Sequence, residues 1–366
     1  MERGGVYIHI PFCSSRCGYC HFATSVSNEQ EPYVEALLRE IEEVSQSSAI
    51  RGLTFDTIYF GGGTPSLLRP DLLARVVDAL HANFTIEGHS EFTIEANPEA
   101  VGGAARHAPF YASIGVNRIS IGVQSAVPAE LTALDRSHDA REIRETVAGI
   151  REHVPNINLD FIIGIPGQRS IDRSLELISE LSPDHVSLYI LEIFPGTQLS
   201  HLPPPDDEIV ERLYFQACDF LRGCGFVHYE ICNFARPGRE CVHNRKYWNG
   251  APYVGLGLSA CSLYAGSRFQ NTSSFAAYIH DPAKSRAAER LDDDTRARES
   301  IFLALRTAEG LDAASFFRRH GFDPSTRFQG EWDDLIGLGL IVKQGDHYRI
   351  PERRMLVGNE VFGRFV

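Results

Sequence analysis

The sequence predicts an α/β fold: a partial, TIM-like (β/α)6 barrel followed by a small winged-helix-like carboxyl-terminal domain. Two observations predict the barrel. Short strand-like segments alternate six times with amphipathic helical segments through the first two thirds of the chain, as in parallel strands joined by right-handed crossovers. The polar motifs fall at or just after the carboxyl ends of these strands, where barrel enzymes hold their active sites. A doubly wound sheet is the alternative, but the placement of the polar motifs favours the barrel.

The six strand candidates are rich in Val, Ile, Phe and Tyr, and most are bounded by Gly, Pro, Asn or Ser. They are Val6–Ile10, Thr57–Phe60, Glu91–Glu95, Arg118–Val123, Leu159–Ile165 and Val186–Leu191. Apolar residues recur at helical spacing between them, for example at Val34, Leu37, Leu38, Ile41 and Val44. We therefore expect helices that cover the outer face of a parallel sheet.

The remainder of the chain is less regular. A proline-rich turn at 203–205 precedes a predicted helix from about Glu208 to Arg222. Residues 226–264 show no clear periodicity, and the charged stretch 281–294 indicates a linker. Helices and a hairpin with strands at 340–342 and 347–350 complete the chain. We expect a barrel at 1–235, a motif segment and linker at 236–290, and a carboxyl-terminal domain at 291–366.

The composition narrows the class of protein. The 366 residues include 35 Lys+Arg and 48 Asp+Glu, a net charge of −13, and 43% of them are hydrophobic. This content excludes general disorder, and the lack of a basic stripe argues against nucleic acid as a partner, also for the winged-helix-like tail. No apolar stretch has membrane-spanning length, and the amino terminus leads directly into a strand without a signal peptide. We expect a cytoplasmic protein whose contact with membranes is at most peripheral.

Three of the eight cysteines, Cys13, Cys17 and Cys20, are clustered on the loop after the first strand. In a reducing compartment such clustering indicates a metal site or catalysis rather than disulfides. Three thiolates could hold a [4Fe–4S] cluster that leaves one iron open to another ligand. A zinc site is the alternative, but zinc prefers four ligands, and His21 would complete the site only with awkward geometry.

The segment 7–20 around these cysteines, YIHIPFCSSRCGYC, resembles the cluster loop of the radical S-adenosylmethionine (SAM) superfamily. More narrowly, nearly the whole chain is similar to the branch that contains oxygen-independent coproporphyrinogen III dehydrogenase and the HemW-type haem chaperones. The resemblance implies that the open iron binds the amino and carboxylate groups of SAM. It also implies an electron donor for the cluster and the reductive cleavage of SAM to methionine and a 5′-deoxyadenosyl radical.

The resemblance further implies which residues contact SAM. The glycine-rich segment 61–65 (GGGTP) resembles the one that meets the methionine end of SAM, and a bare backbone allows a close approach. Carboxylates at strand ends can accept hydrogen bonds from ribose hydroxyls or an ammonium group, and an arginine can form a forked pair with a carboxylate. The matching residues are Tyr7, Gly62, Gly63, Thr64, Glu95, Gln124, Arg136 and Asp160.

A second motif, at 243–248 (HNRKYW), resembles the HNxxYW signature of the HemW-type haem chaperones. The resemblance implies that His243 offers a ring nitrogen to haem iron, with Tyr247 and Trp248 beside the porphyrin face. On the residues alone, a packed or surface histidine is the simpler interpretation.

The surroundings of this motif are open to two interpretations. Arg245 and Lys246 could meet the haem propionates or be solvated charges, and Cys241 could be a second iron ligand or a buried thiol. The chain also departs from the family pattern at two positions. Cys261 ends a glycine-rich segment that often ends in His, and His21 stands where haem chaperones often carry Asp.

Three features favour the chaperone over the dehydrogenase. Phe22 stands where the dehydrogenase carries a fourth cysteine, only twelve residues precede Cys13, and the HNxxYW signature is present. We therefore expect a protein that binds a [4Fe–4S] cluster, SAM and haem and delivers haem to an acceptor haemoprotein. The alternatives are an enzyme that decarboxylates the propionates of coproporphyrinogen III and a radical SAM enzyme that acts on haem itself. Whether SAM is cleaved productively is left open.

Overall fold

Six parallel strands form the centre of the structure, a computed structural model that describes residues 3–98 and 103–366. They lie side by side in chain order within a 12-stranded sheet, and each pairs in parallel with the next. The strands are β1 (Arg3–Ile10), β2 (Thr54–Gly62), β3 (Ile86–Ala96), β4 (Arg118–Gln124), β5 (Asn156–Ile163) and β6 (His185–Ile190). This order confirms the predicted partial (β/α)6 barrel.

Helices connect these strands and bury an apolar face against the sheet. In α1, for example, the buried residues Val34, Leu37, Ile41 and Val44 recur at the spacing of one helix face. The helices are α1 (Gln30–Ser45), α2 (Ser48–Arg51), α3 (Pro70–Asn83), α4 (Ala104–Ser113), α5 (Pro128–Ala133), α6 (Ala140–Arg151) and α7 (Asp172–Leu181). Their arrangement leaves the carboxyl ends of the strands and the loops that follow them free to form a site.

Both edges of the barrel sheet are extended by later parts of the chain. After α8 (Asp207–Gly223), strands β7 (Val227–Glu230) and β8 (Asn233–Ala235) join the β6 edge in antiparallel fashion. At the opposite edge, β9 (Tyr253–Leu256) pairs in parallel with β1. The helix α9 (Val242–Asn249) stands between these two extensions in the chain. The predicted helix at 208–222 is confirmed, whereas the strands of segment 226–264 gave no periodic signal in the sequence.

The segment predicted to be a linker is partly a strand. Strands β10 (Cys261–Tyr264) and β11 (Ser267–Gln270), helix α10 (Phe275–His280) and strand β12 (Ala287–Arg290) follow β9. All four residues of β12 are exposed, and the strand pairs with β11 at the sheet edge. An exposed edge strand needs no apolar alternation, so its sequence resembles that of a linker.

The carboxyl-terminal residues form a hydrophobic core of their own, with members from Ala297 to Phe365. Its helices are α11 (Asp293–Leu305), α12 (Ala313–His320), α13 (Pro324–Arg327), α14 (Gln329–Gly337) and α15 (Gly358–Phe362). A short strand, β13 (Leu311–Asp312), pairs with β15 (His347–Arg349), which forms the predicted hairpin with β14 (Val342–Gln344). None of the helices described in this structure is long and apolar enough to cross a membrane.

Candidate functional site

A cavity of about 630 Å³ lies at the carboxyl ends of the barrel strands and extends to the carboxyl-terminal domain. One half is lined by the cysteine loop and by the ends of β2 to β5. The other half is lined by the β7–β8 turn, α9 and residues after α11. Of the predicted site residues, the cavity lining includes Cys13, Cys17, Cys20, Gly62, Gly63, Thr64, Glu95, Gln124, Arg136 and Asp160.

The cysteine loop is held at its base by backbone hydrogen bonds. The N–H of Cys13 donates to the carbonyl of Ser25 (3.0 Å), and the N–H of Ser25 donates to the carbonyl of Pro11 (2.7 Å). Within the loop, the N–H of Cys20 donates to the carbonyl of Cys17 (3.1 Å). All three thiols are free and partly exposed toward the cavity. A short loop with a fixed base therefore carries three soft sulfur donors.

Burial and a hydrogen bond shift the pKa of the Cys13 thiol in opposite directions. Burial raises the pKa of the Cys13 thiol to about 11, while a hydrogen bond from Thr64 (Oγ1–Sγ 3.8 Å) favours its thiolate. The Nη1 of Arg136 donates a hydrogen bond to the Sγ of Cys17 (3.4 Å). The cysteine sulfur atoms could therefore bind a cluster or a metal ion, which would take the place of the thiol protons.

The glycine-rich segment packs directly against the start of the cysteine loop. A side chain at Gly62, whose φ is +116°, would come within 2.5–2.9 Å of the His9 ring. A Cβ on Gly63 would lie 2.8 Å from the carbonyl oxygen of Pro11 and 2.7 Å from that of Phe12. The two glycines therefore allow the end of β2 to hydrogen-bond with the loop, through the N–H of Gly63 and the carbonyl of Ile10 (2.9 Å).

Glu95 ends β3 beside this glycine segment. Its carboxylate accepts hydrogen bonds from the Tyr59 hydroxyl (2.8 Å) and from the N–H of Gly62 (3.0 Å). Burial raises its pKa to about 7, and the nearby Asp160 adds to this effect. A buried carboxyl group that lines a cavity can accept further hydrogen bonds from a ligand hydroxyl or ammonium group.

Asp160 lies within β5, three residues before its end, and Gln124 ends the neighbouring strand β4. The carboxylate of Asp160 accepts hydrogen bonds from Ser120 (3.0 Å) and from Asn158 (2.7 Å), and burial raises its pKa. The backbone of Gln124 has φ = +65°, a left-handed conformation that is unfavourable for a residue with a side chain. Such strain is found where the surrounding structure fixes a residue for function.

Arg136 connects the cysteine loop with the strand ends. Its Nη2 donates to Oδ1 of Asn97 (2.7 Å) and to the carbonyl of Gly122 (2.8 Å), while its Nη1 faces Cys17. Asn97 in turn donates to the hydroxyl of Thr64 (3.0 Å). Asn97 was not singled out in the sequence, although it stands two residues after Glu95 at the same strand end.

Two predicted site residues, Tyr7 and His243, lie beneath the cavity rather than in its lining. The Tyr7 hydroxyl is 3.1 Å from Nδ1 of His9, and the Tyr7 ring stacks with Tyr59. His243 is only 1% exposed. Its Nδ1 is 2.8 Å from the Thr57 hydroxyl and its Nε2 is 2.9 Å from the Tyr247 hydroxyl.

In this position both ring nitrogens of His243 lie within hydrogen-bond distance of hydroxyl groups, and its role as an iron ligand stays a prediction. A neutral imidazole has one donor and one acceptor, and the two hydroxyl groups already satisfy both. The other two ring residues of the motif, Tyr247 and Trp248, do line the cavity. The geometry therefore supports the predicted place of the motif beside the cavity but gives no support to the predicted iron ligand.

The cavity also contains residues that the sequence did not indicate. Cys232, on the turn after β7, lines it, whereas the alternative ligand candidate Cys241 is fully buried against Glu91. Arg306, which follows α11, lines the half near the carboxyl-terminal domain. No motif surrounds either residue, and only the packing of distant segments brings them here.

The donor set fits an iron–sulfur cluster better than a four-ligand zinc site. Across residues 3–98 and 103–366, no three His, Cys, Asp or Glu side chains are close enough together to form a ready metal site. The number and type of the donors, three thiols on one loop with Arg136 next to Cys17, would suit a cluster with one iron left for another ligand once the thiols converge on it. The His21 ring packs against Phe194 (ring centroids 3.8 Å apart), an arrangement that gives no support to His21 as a fourth zinc ligand.

Comparisons with known proteins show which family the chain belongs to. The radical SAM superfamily model matches residues 7–178, and the HemN C-terminal domain model matches residues 291–357. Among solved structures, coproporphyrinogen III oxidase (HemN) from Escherichia coli matches 100% of this chain and 90% of its own, with a TM-score of 0.87. At 23% sequence identity, this similarity shows the fold.

Curated relatives give the closer affiliation. The chain is 33% identical to heme chaperone HemW of Mycobacterium tuberculosis over 98% of this chain and 93% of the relative. It is 33% identical to the HemW protein of Lactococcus lactis over 100% of this chain and 98% of the relative. For the HemW protein of Bacillus subtilis the identity is 31%, over 98% of both chains. The chain therefore belongs to the HemW family of the radical SAM superfamily.

Proposed function

We propose that this protein is a haem chaperone that binds a [4Fe–4S] cluster, SAM and haem and transfers haem to an acceptor haemoprotein. The observation that carries the proposal is the single cavity that joins two chemically different halves. One half contains three cysteine thiols and the polar strand ends. The other half is lined by aromatic and apolar side chains of α9 and the carboxyl-terminal domain, together with Arg306 and the polar residues of the β7–β8 turn. The names of the relatives support the same function.

In the first half, Cys13, Cys17 and Cys20 would hold the cluster, whose open iron would supply a binding site for the amino and carboxylate groups of SAM. The backbone at Gly62 and Gly63 allows a ligand to approach closely. The remaining contacts to SAM would come from Thr64, Glu95, Gln124, Arg136 and Asp160, all of which line this half of the cavity. Tyr7 does not line the cavity and would support the SAM site indirectly, because its ring stacks with that of Tyr59.

In the second half, a flat apolar ligand would find large side chains to contact. Trp248 and Tyr247 line it from α9, and Leu356 and Phe362 line it from the carboxyl-terminal domain. Aromatic and apolar side chains of this kind suit a porphyrin face. We assign no iron ligand to His243, because its two ring nitrogens are engaged by Thr57 and Tyr247.

Binding of a cluster and transfer of haem would each require a protein partner. A reduced cluster requires an electron donor, and transfer of haem requires an acceptor haemoprotein. Eight free cysteines suit a reducing compartment such as the cytoplasm. The net charge of −13 disfavours nucleic acid and anionic membranes as partners, so membrane contact would be peripheral at most.

The proposal can be tested by an anaerobic titration of the cluster-reconstituted full chain with haem, followed by its Soret spectrum. We expect saturable binding of one haem per chain. Transfer to apo-cytochrome b5 should then proceed at a rate that rises with the concentration of both proteins, because haem passes within a complex. A transfer rate set only by release of haem into solution would contradict a chaperone function.

The enzymatic alternative is tested with the same preparation. Coproporphyrinogen III, SAM and a reductant are supplied, and vinyl products and methionine are measured. We expect no conversion, because Phe22 occupies the position of the fourth cysteine and is 55% exposed at the cavity. Formation of vinyl product in step with SAM consumption would identify an oxidase instead. Loss of the haem spectrum on addition of SAM and reductant would identify an enzyme that acts on haem.

A further inference from the structure

Arg306 is fixed in the second half of the cavity by the docking of the carboxyl-terminal domain on the barrel. Its carbonyl accepts a hydrogen bond from the N–H of Ile231 on the turn after β7 (3.1 Å). Two residues later, the N–H of Ala308 donates to the carbonyl of Tyr229 (3.0 Å). The backbone of Arg306 is therefore held against the barrel, and its side chain extends into the cavity lining.

Aromatic rings hold the guanidinium group of Arg306. Its Cζ lies 4.7 Å from the centroid of the Trp248 ring and 5.1 Å from that of Phe362. Stacking of this kind orients the planar guanidinium while leaving its N–H groups available to an acceptor in the plane. The two rings belong to α9 and α15, so the arrangement exists only when the carboxyl-terminal domain is docked.

One buried donor on each of Arg306 and Trp248 lacks an acceptor within residues 3–98 and 103–366. In the part of the chain that the structure describes, neither the buried Nε of Arg306 nor the buried Nε1 of Trp248 has a hydrogen-bond partner. Glu230 lines the same cavity, but its carboxylate is engaged by the Asn233 side chain and the N–H of Cys232. Two unpaired buried donors in a cavity are costly unless a ligand supplies an acceptor.

The basic residues of the HNxxYW motif are already engaged elsewhere. Arg245 forms an ion pair with Glu309 (3.0 Å), and Lys246 forms a largely buried one with Asp56 (2.5 Å). The sequence had suggested these two residues for the haem propionates. The structure instead leaves Arg306 as a cation that faces the cavity among the apolar residues Met355, Leu356 and Phe362.

We propose that Arg306 and Trp248 form a carboxylate-binding subsite for the cargo, whose ligand is an apolar ring system that carries a carboxylate side chain. The inference rests on the proposed function, because a haem propionate is such a group. The guanidinium of Arg306 pairs with the carboxylate, Nε1 of Trp248 donates a further hydrogen bond, and the apolar neighbours contact the ring system. A phosphate ligand fits less well, since the cavity lining around Arg306 supplies apolar side chains, neutral amides and the carboxyl group of Glu230, on which the charge of Arg306 already acts.

The test compares two probes, iron protoporphyrin IX and its dimethyl ester, which lacks free carboxylates. Each is titrated in the same co-solvent into the cluster-reconstituted full chain and into the Arg306→Gln variant. We expect Arg306→Gln to weaken binding of the free acid by about 10- to 100-fold, as for the loss of a charge-assisted hydrogen bond. Binding of the ester should change by less than about threefold.

Three further variants control for structural effects. Arg306→Lys keeps the charge and should recover part of the affinity, and Trp248→Phe keeps the ring and should lose about three- to tenfold for the free acid alone. Arg245→Gln, a matched arginine whose partner is Glu309, should bind both probes like the wild type. Unfolding midpoints of all variants report whether the fold is intact.

The outcomes separate the subsite from the proposed function. Equal losses for the free acid and the ester would mean that Arg306 acts through the fold, and unchanged affinity for the free acid would remove Arg306 from the site. In both cases saturable haem binding by the wild type would leave the chaperone proposal standing. Failure of the wild type to bind either probe would overturn the chaperone proposal and the subsite with it.

Discussion

The Nε2 atom of His243 lies 2.9 Å from the hydroxyl oxygen of Tyr247, one helical turn further along α9. The same imidazole is joined through Nδ1 to the hydroxyl of Thr57 on β2. Burial is the main reason that the pKa of His243 is lowered to about 3, so the ring is neutral at physiological pH. The histidine of the HNxxYW motif thus ties α9 to the barrel and orients a tyrosine that lines the cavity.

The substitution His243→Ala tests this structural role. It removes a buried ring and leaves two buried hydroxyl groups with one partner fewer, so we expect a loss of about 2–4 kcal/mol in the free energy of unfolding. Urea denaturation of the wild type and the variant measures this loss. The Soret maximum of bound haem should be unchanged, because the iron ligand is not removed.

The exposed His153, in the turn after α6, provides the matched control, and His153→Ala should alter neither property. A stable His243→Ala protein whose Soret maximum shifts would restore His243 as the iron ligand.

The barrel and the cysteine loop were predicted from local signals, whereas the SAM-contacting residues of the first half of the cavity were identified through the resemblance to the radical SAM superfamily. A strand that ends in a carboxylate, such as β3 at Glu95, places that residue at the carboxyl edge wherever the strand lies in the sheet. The three cysteines share one loop, so their proximity follows from their spacing. These residues needed no knowledge of how distant segments meet.

The second half of the cavity depends on long-range packing, which the sequence does not display. Arg306 reaches the cavity only because the segment after α11 docks on the β7–β8 turn. For α9, the spacing of His243 and Tyr247 by four residues does place both on one helix face. Which of them turns toward the cavity is decided by contacts with β1 and β2, so the motif alone does not show that Tyr247 lines the cavity while His243 is buried.

Replacement of any one of the three loop cysteines should abolish the cluster. For Cys13→Ser, Cys17→Ser and Cys20→Ser we expect iron and acid-labile sulfide after anaerobic reconstitution to fall below about a tenth of the wild-type content. The matched controls are Cys232→Ser, which changes a thiol that lines the same cavity, and Cys261→Ser. Both should retain the wild-type iron content, and loss of iron from Cys232→Ser would show a fourth ligand.

The raised pKa of Glu95 predicts how the free energy of unfolding depends on pH. Burial raises this pKa from 4.5 to about 7, so the folded protein binds a proton between these pH values that the unfolded chain releases. The stabilisation is therefore fully present below about pH 4.5 and is lost as the pH rises through 7. Relative to Glu95→Gln, the free energy of unfolding of the wild type should fall by about 2–3 kcal/mol between pH 4.5 and 7.5.

Urea denaturation at several pH values measures this difference, and the exposed Glu43 on α1 provides the control. A Glu43→Gln protein should follow the wild-type profile. If the wild type and Glu95→Gln differ by the same amount at every pH, the pKa of Glu95 is the same in the folded and unfolded states, and its hydrogen bonds with Tyr59 and Gly62 balance the effect of burial.

The left-handed backbone of Gln124 predicts that two variants with the same loss of SAM affinity will differ in stability. Glycine adopts φ = +65° without strain, so Gln124→Gly should be about 1 kcal/mol more stable to urea than Gln124→Ala, which keeps the unfavourable conformation. Both variants lose the amide that lines the cavity and should bind SAM about tenfold more weakly in equilibrium dialysis. A Gln124→Gly protein that is less stable than Gln124→Ala would mean that the backbone at this position is unstrained. Wild-type SAM affinity in both would mean that Gln124 makes no contact with SAM.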